Sequence, residues 1–357
     1  MGTAINFGIW GLGRMGAVHV RFFSALKELY RPVAFCDLDA ERTAQTAAEF
    51  GGRAFTDADA FLADPELDLV IVATRSLDHV EHATRALAAG KRVLLEKPIG
   101  VTAADYEKLR ELVKQYPDRL FFGQNHRFEP AHEMTFDIVK RGLLGKIHTV
   151  RITKFHRFGA RCDWQMLLGH GGGQLSVWGP HVLDQTLHLL DSPVKSVWSR
   201  LERILTPGDA DDHFKIILGA ENGAYGEIEV SNAAALPHPY CLVYGDRGAL
   251  SYGEDQKEIT LRYLKPDFEM PELKAFAGTP ASDYSWGREV ALPWVEEVRP
   301  VPCPEGIVSA VEKRLATHLW EALNGIAPFP VTSEQALEVV RLTEVVKAQN
   351  PQFDWLK

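Results

Sequence analysis

The chain has 357 residues, enough for two domains with separate cores, and its 46% hydrophobic and 24% charged residues are typical of a globular protein. Its formal net charge of −9, with 39 basic residues scattered among 48 acidic ones, argues against nucleic-acid binding. No apolar run reaches the roughly 18 residues of a membrane span, and the apolar start lacks a basic leader, so we expect a cytoplasmic protein without membrane contacts.

The four cysteines are widely spaced and form no C-x-x-C pair; they are Cys36, Cys162, Cys241 and Cys303. This spacing favours neither a zinc site nor a disulfide framework, and it fits a reducing compartment. We therefore expect no metal cofactor.

A glycine-rich turn follows the first predicted strand, Ile5–Ile9. In the pattern G-x-G-x-x-G, Gly11 makes the tight turn, Gly13 lets the backbone approach a pyrophosphate, and Gly16 lets the next helix pack on the strand. Amides at the helix start then face the phosphates, although an ordinary glycine turn is the alternative interpretation. The cofactor-binding residues predicted in this turn are Gly11, Leu12, Gly13, Arg14, Met15 and Gly16.

An acidic residue follows the second predicted strand. Arg31–Cys36 ends at Asp37, 21 residues after Gly16, where a carboxylate can bond both ribose hydroxyls of an adenosine. The same carboxylate would repel the 2′-phosphate of NADP, so Asp37 favours NAD as the cofactor. Arg42 leaves this preference open, because it could lie over the adenine, reach a phosphate or remain a solvated surface residue.

Up to residue 123, apolar runs alternate with amphipathic helical segments, which predicts an α/β domain with a doubly wound parallel sheet. The predicted strands are Ile5–Ile9, Arg31–Cys36, Arg53–Phe55, Leu67–Ala73, Arg92–Leu95 and Leu120–Phe122. Ligands of such sheets bind at the carboxyl ends of the strands, where Thr74 and Glu96 also lie. Thr74 and Glu96 are therefore further predicted cofactor contacts.

From residue 124 onward strands follow strands, which predicts an α+β domain with a large, mainly antiparallel open sheet. The predicted strands are Ile147–Lys154, Val194–Arg203, His213–Leu218, Ala224–Val230, Cys241–Tyr244 and Ile259–Leu264. Helices are predicted at Ala131–Arg141 and, covering one face of the sheet, at Gln174–Leu190, Ser309–Leu323 and Ser333–Gln349. Pro266–Pro304 shows no clear period and is expected to be an excursion over the site or a subunit contact.

Lys97 is the first candidate catalytic residue, in the sequence Glu96-Lys97-Pro98 directly after the fifth predicted strand. An ammonium at this edge, beside the nicotinamide end of a dinucleotide, can hold a substrate hydroxyl and lower its pKa as hydride leaves. The alternative is an ordinary surface lysine on a loop.

His181 is the second candidate, in the stretch Gly171–Asp184, which opens with three glycines. Pro180 is tolerated only in the first turn of a helix, so a helix that restarts there places His181 at its positive end. That position favours the neutral imidazole that a general base needs. Asp184 would share its face, and the alternative is a core histidine paired with Asp184.

Several stretches together resemble the Gfo/Idh/MocA oxidoreductases, a family that includes glucose–fructose oxidoreductase and inositol dehydrogenase. The stretches follow the family's order over nearly the whole chain and are Gly11–Gly16, Asp37, Ala89–Pro98, Asn125–Pro130 and Gly171–Asp184. The resemblance implies a Rossmann domain over residues 1–123 and a substrate domain over residues 124–357, whose open sheet mediates homodimers or homotetramers. It also implies that Lys97 and His181 line the catalytic pocket, and we assign cofactor contacts to Lys97 and Asn125.

The chain departs from the family at one position, because many members carry an aspartate four residues before the histidine and this chain has Val177. Either Lys97 and His181 suffice, or another group substitutes; the candidates, alternatively ordinary loop or strand residues, are Asp163, His170 and His156. The predicted substrate-binding residues are Lys97, Asp163, Trp164, His181 and Asp184. A platform for a sugar ring could be formed by Trp164, Trp178, Phe155 and Phe158, although aromatic residues are more often core.

The preferred functional hypothesis is an NAD-dependent dehydrogenase that transfers hydride between the nicotinamide and a secondary alcohol of a sugar, sugar derivative or cyclitol. In it, Lys97 polarises the hydroxyl and His181 takes the proton. One alternative is an enzyme that recycles a tightly bound NAD within each turnover, as in glycosidic bond cleavage or hydride transfer between sugars. Another is a non-catalytic dinucleotide-sensing regulator, which Val177 keeps open.

Overall fold

The computed structural model describes residues 2–272 and 291–354, which form two sheets with their helices. All six strands of the first sheet are parallel, in the order β3-β2-β1-β4-β5-β6. They are β1 Ile5–Trp10, β2 Tyr30–Cys36, β3 Arg53–Phe55, β4 Leu69–Val72, β5 Arg92–Glu96 and β6 Leu120–Gly123. The helices between them are α1 Arg14–Ala25, α2 Ala40–Phe50, α3 Ala58–Leu62, α4 His79–Ala88 and α5 Ala103–Gln115. The predicted doubly wound parallel sheet is confirmed.

Burial on both faces explains why these strands appear in the sequence as continuous apolar runs. Every residue of β4 is inaccessible to solvent, because helices cover both sides of the sheet. The strand order reverses between β1 and β4, which opens a crevice at the carboxyl ends of these two strands. The glycine-rich turn and Thr74 lie at that crevice.

The second sheet has eight strands in the order β14-β13-β12-β11-β7-β10-β9-β8. Its strands are β7 Ile147–Phe155, β8 Val194–Glu202, β9 His213–Ala220, β10 Tyr225–Ser231, β11 Cys241–Gly245, β12 Gly248–Tyr252, β13 Glu258–Leu264 and β14 Trp294–Pro300. Only the central pair β7 and β10 is parallel, and the other neighbours are antiparallel. The predicted mainly antiparallel sheet is therefore confirmed.

Within the described part of the chain, helices cover one face of this sheet and leave the other open. The remaining helices are α6 Pro130–Lys140, α7 Gln174–Val177, α8 Gly179–Leu190, α9 Ile307–Leu323 and α10 Ser333–Gln349. Of these, α8 packs across β7 and β10, and α10 packs on β8. The predicted helix Gln174–Leu190 is interrupted at Trp178, so Pro180 lies in the first turn of α8 as expected. No helix among the described residues is long and apolar enough to cross a membrane.

The structure differs from the sequence predictions in two strands. β12 was not predicted, and β14 lies inside Pro266–Pro304, which was expected to be irregular. β14 is an edge strand in which three of seven residues are charged and the last is a proline, a composition typical of a loop. Its pairing with β13 makes it a strand. Residues 273–290 of that stretch lie outside the described residues.

The position of α9 also differs, because this helix does not cover the second sheet as predicted. It packs against α1, and Leu315, Ala316 and Leu319 belong to the hydrophobic core of the first sheet. The Tyr30 hydroxyl in β2 donates a hydrogen bond of 2.7 Å to the carbonyl of Ala316. An amphipathic pattern indicates that a helix face is buried without indicating its partner.

Candidate active site

The glycine-rich turn has the geometry of a dinucleotide cradle. Gly11 has a φ of +96°, and a Cβ there would lie 2.7 Å from the backbone of Ala73. A Cβ on Gly16 would lie 1.9 Å from the Gly11 carbonyl oxygen, whereas a Cβ on Gly13 would meet nothing within 4 Å. Gly13 also starts α1 without a side-chain cap, and the first turn has no acidic residue. Open space above uncapped helix amides fits a pyrophosphate.

Asp37 lies at the carboxyl end of β2 and is tied to this turn. Its carboxylate accepts a 2.6 Å hydrogen bond from the Leu12 amide and one of 3.0 Å from the Asp39 amide. The Arg42 guanidinium lies 3.3 Å from Asp37 and 3.1 Å from Asp39, with nearly half of its side chain exposed. The region where an adenosine ribose would bind therefore offers both a carboxylate and a guanidinium.

Lys97 follows β5 and connects the two parts of the chain. Its Nζ donates a 3.2 Å hydrogen bond to the carbonyl of Val177, at the end of α7. Burial lowers the pKa of the Lys97 ammonium; Glu96 opposes this shift, and Arg14 and Arg161 add to it. Lys97 therefore lies within electrostatic reach of the glycine-rich turn, which carries Arg14, and of the loop that carries Arg161.

Glu96, Thr74 and Asn125, three predicted cofactor contacts, bond to protein groups at this edge. The buried carboxylate of Glu96 lies 2.8 Å from His19 of α1, whose other ring nitrogen lies 2.9 Å from Glu312 of α9. Asn125 Nδ2 donates to Glu312 at 3.1 Å, and Thr74 Oγ1 lies 2.9 Å from His82 Nδ1. Sequence reasoning missed the histidine between two carboxylates, because its three residues come from distant parts of the chain.

His181 is in the first turn of α8 and is buried, with 4% of its surface exposed. Its ring centre lies 3.8 Å from that of His126 and 5.6 Å from that of Trp178. Burial holds the pKa of His181 well below the ordinary 6.5, with smaller contributions from His126 and Lys97, so the imidazole is neutral. The predicted neutral form thus arises mainly from burial rather than from the helix end.

Asp184, predicted to bind substrate beside His181, is engaged elsewhere. Its carboxylate accepts two hydrogen bonds from the Arg127 guanidinium, one of 2.8 Å from Nε and a second from Nη2. Both side chains are almost fully buried, so the pair is a structural link between α8 and the short helical turn Asn125–Phe128. The structure does not bring Asp184 to the imidazole of His181.

The loop before the three glycines carries the other predicted substrate contacts. Asp163 is nearly half exposed and pairs with Arg161 at 2.8 Å. The ring of Trp164 lies 5.7 Å from the guanidinium of Arg75, next to Thr74 at the end of β4. This loop therefore reaches the carboxyl edge of the parallel sheet. His170 is partly buried, and the structure gives its side chain no hydrogen bond within the described residues.

Trp178 is the aromatic residue of the predicted platform that lies against the candidate histidines. Its ring contacts those of His126, His156 and His181, and Lys154 Nζ lies 4.7 Å above its centre. Burial lowers the pKa of His156 to about 4, and the positive charge of Lys154 is the second-largest cause of this shift. Of the remaining predicted platform residues, Phe155 is buried and Phe158 is exposed.

His126 and Glu129 were missed as site residues, although both lie in a stretch that carries the family resemblance. His126 Nδ1 lies 2.7 Å from Glu129 Oε1, and Glu129 is buried beneath it. No group of three or more His, Cys, Asp or Glu side chains within residues 2–272 and 291–354 could hold a metal ion.

Comparisons with known proteins agree with this architecture. Scyllo-inositol 2-dehydrogenase (NADP(+)) of Bacillus subtilis is 26% identical over 95% of this chain and 92% of its own. Myo-inositol 2-dehydrogenase of Thermotoga maritima is 26% identical over 72% of this chain and 77% of its own. Among solved structures, levoglucosan dehydrogenase in complex with NADH and L-sorbose shares the fold, with a TM-score of 0.80, 20% identity and 98% of each chain covered.

Two family models match in succession. The oxidoreductase family with an NAD-binding Rossmann fold matches residues 5–124, and the GFO/IDH/MocA C-terminal domain matches residues 134–251. Together they cover more than half of the chain. The chain therefore belongs to the Gfo/Idh/MocA family of NAD-binding oxidoreductases.

Proposed function

We propose that the protein is an NAD-dependent dehydrogenase that oxidises a secondary alcohol of a sugar, sugar derivative or cyclitol. The observation that carries this proposal is the hydrogen bond from Lys97 Nζ to the Val177 carbonyl. It joins the lysine after β5 to the segment that leads into neutral His181, beside the glycine-rich turn. The relatives named for oxidation of inositols support the substrate class.

The residues fit a bound dinucleotide at the edge of the parallel sheet. The amides at the start of α1, above Gly13, would hold the pyrophosphate, and Asp37 would hold the adenosine ribose. When bound there, NAD supplies the hydride acceptor. We also propose the functional division of the chain, with residues 1–123 binding the cofactor and residues 124–357 binding substrate, while α9 returns to support the first unit.

The two candidate catalytic residues have different roles in the proposed proton transfer. His181 is neutral, so an imidazole nitrogen can take the hydroxyl proton. The Lys97 ammonium can donate a hydrogen bond to the same hydroxyl oxygen and stabilise the negative charge that develops on it. Its lowered pKa makes the ammonium a better hydrogen-bond donor to that oxygen. Burial of His181 keeps water from competing for the proton.

NADH absorbance tests the proposal directly, during a screen of inositols, sugars and sugar derivatives with added NAD. We expect substrate-dependent NADH formation, and we expect His181→Ala to lower kcat by about 10²–10⁴-fold while NAD still binds. His170→Gln and Asp163→Asn serve as controls, because these upstream residues are the alternative bases. NAD binding without turnover on any substrate would favour a sensor, and NAD retained through purification would favour internal recycling.

We further propose that the open face of the second sheet mediates a homodimer or homotetramer. This face exposes aromatic side chains next to ion pairs, and its exposed aromatic residues include Trp198, Tyr225 and Tyr244. Arg151 and Glu227 form an ion pair with an N–O distance of 2.7 Å on the same face. A surface that combines aromatic residues with paired charges is typical of protein interfaces.

A further inference from the structure

The imidazole of His181 packs against His126, which belongs to an ionisable pair that the proposed mechanism does not use. The ring centres of His181 and His126 are 3.8 Å apart, with an angle of 35° between their planes. His126 Nδ1 in turn lies 2.7 Å from Glu129 Oε1. The ring that packs against the candidate base is therefore itself paired with a carboxylate.

Glu129 is held in place by elements from both sides. Its second oxygen, Oε2, accepts a 2.9 Å hydrogen bond from Gln185 of α8, whose Nε2 also donates 2.8 Å to the His126 carbonyl. The Tyr240 hydroxyl, before β11, donates to Gln185 Oε1 at 2.8 Å. Glu129, Gln185 and Tyr240 are all buried, so the carboxylate has little freedom to move.

The charges around this pair are consistent with an anionic Glu129. Burial raises the pKa of Glu129, but His126, the hydrogen bond from Gln185 and His132 outweigh it, so the pKa falls. The titratable groups that face Glu129 are His126, His132, Tyr240, Cys241 and Tyr252; those that face His181 are His126 and Lys97. Within this described set, Glu129 is the group that carries negative charge at neutral pH.

Val177, by contrast, gives His181 no support. The backbone carbonyl of Val177 accepts the hydrogen bond from Lys97, and the residue is buried. His181 Nδ1 is buried and has no hydrogen-bond partner among the described residues. The segment that would carry the family's aspartate therefore accepts a hydrogen bond from Lys97. The ring of His181 contacts the ring of His126 instead.

We propose that Glu129, acting through His126, provides the negative charge that the missing aspartate would provide to His181. In the oxidation, the substrate O–H bond breaks and an N–H bond forms on His181; the C–H bond of the same carbon breaks as a C=O bond forms, and a bound NAD would accept the hydride. His181 then carries a positive charge, which Glu129 offsets across the polarised ring of His126. Both are positioning residues, and their assignment rests on the proposed role of His181 as the proton acceptor.

The pH dependence of kcat/KM tests this role in Glu129→Gln, which keeps the size of the side chain but removes its charge and replaces one acceptor oxygen with an NH2 donor. Without the anion, the imidazolium of His181 is less stable, so the acidic limb should move to lower pH by about one unit and the plateau should fall about tenfold. Glu129→Asp should recover most of the rate. The matched control is Glu133→Gln in the first turn of α6, where the partly exposed carboxylate pairs with Arg314.

The outcomes separate this proposal from the proposed function. If wild type is active and His181→Ala is not, equal profiles for Glu129→Gln and Glu133→Gln overturn the role of Glu129 alone. A rate loss in Glu129→Gln with a lower Tm and an unmoved limb also overturns it. Should that variant not fold, ¹⁵N NMR of histidine rings in the wild-type protein decides: we expect the His126 Nδ1 proton to be present, and an unprotonated Nδ1 contradicts the link to Glu129.

Discussion

Burial changes the two candidate catalytic side chains in the same direction but with opposite consequences. Loss of solvent disfavours the charged forms of His181 and Lys97, and so lowers the pKa of each. For His181 this gives the uncharged imidazole of a base. For Lys97, whose ordinary pKa is 10.5, the ammonium holds its proton less tightly. Burial thus favours a proton acceptor at His181 and a stronger hydrogen-bond donor at Lys97.

We expect Lys97→Met to lower kcat/KM by about 10²–10⁴-fold, because the apolar chain fills the space without the ammonium. NAD affinity and Tm should change little. The matched control is Lys91→Met before β5, where the ammonium donates to the carbonyls of Asp64 and Leu67. That change should lower Tm and leave kcat/KM of the folded protein near wild type. Steady-state kinetics and thermal melts measure both, and a fully active Lys97→Met variant would remove Lys97 from the mechanism.

Asp37 should make the protein bind NADH more tightly than NADPH, because its carboxylate suits a ribose hydroxyl and repels a phosphate. Asp37→Ser should narrow the difference between the two dissociation constants, measured by cofactor fluorescence. Arg42→Ala should widen it, since the guanidinium beside Asp37 is the group that could neutralise a 2′-phosphate. Equal affinities in the unmodified protein would contradict this prediction.

At the scale of elements, a buried histidine joins α1, β5 and α9. His19 lies between Glu96 and Glu312, and although burial lowers its pKa, the two carboxylates together raise it to about 10. Its positive charge lets two carboxylates share the interior. The link holds the strand end that carries Lys97 against the helix that follows the glycine-rich turn.

His19→Leu should reduce the free energy of unfolding by about 3–5 kcal/mol, because two buried carboxylates lose their countercharge. A histidine with a raised pKa contributes its full stability below the unfolded value of 6.5 and loses it as pH rises towards about 10. The free energy of unfolding of the wild-type protein, measured with denaturant, should therefore fall between these pH values. The variant should not show this pH-dependent fall. The control is His318→Leu in α9, where the pair with Glu321 is partly exposed. An unchanged stability in His19→Leu would refute the assignment.

At the scale of the whole molecule, α10 contributes to both hydrophobic cores. Val340 packs with the first sheet, whereas Val339, Leu342 and Val346 pack with the second. Lys347 at the end of α10 also donates a hydrogen bond to the carbonyl of Val101 in the first unit. The two units are thus joined near the candidate site, and the open face of the second sheet remains available on the opposite side of the eight strands.

Trp198→Glu should dissociate the proposed homo-oligomer, because a charge replaces an aromatic side chain that is 53% exposed on the open face of β8. Light scattering after size-exclusion chromatography should then give a lower molar mass than for wild type. Leu38→Glu, a similar change at a residue that is 95% exposed beside the first sheet, is the control and should leave the mass unchanged. A wild-type protein that is monomeric, or a Trp198→Glu variant of unchanged mass, would refute the role of this face.

Features that depend on short stretches of chain were determined by the sequence itself. The glycine-rich turn, the alternation of apolar runs and the restart of a helix near Pro180 each follow from local backbone sterics and side-chain period, and all three are present. The family resemblance arises from the same local stretches.

Only the tertiary structure decided which distant residues meet. Asp184 pairs with Arg127 and not with His181. His181 packs against His126, which pairs with Glu129. β14 is a strand because it pairs with β13. These outcomes depend on which buried faces pack together. The period of apolar residues in a segment carries no information about the element that will cover it. The charge state of His181 likewise comes from burial by those neighbours, which no local pattern specifies.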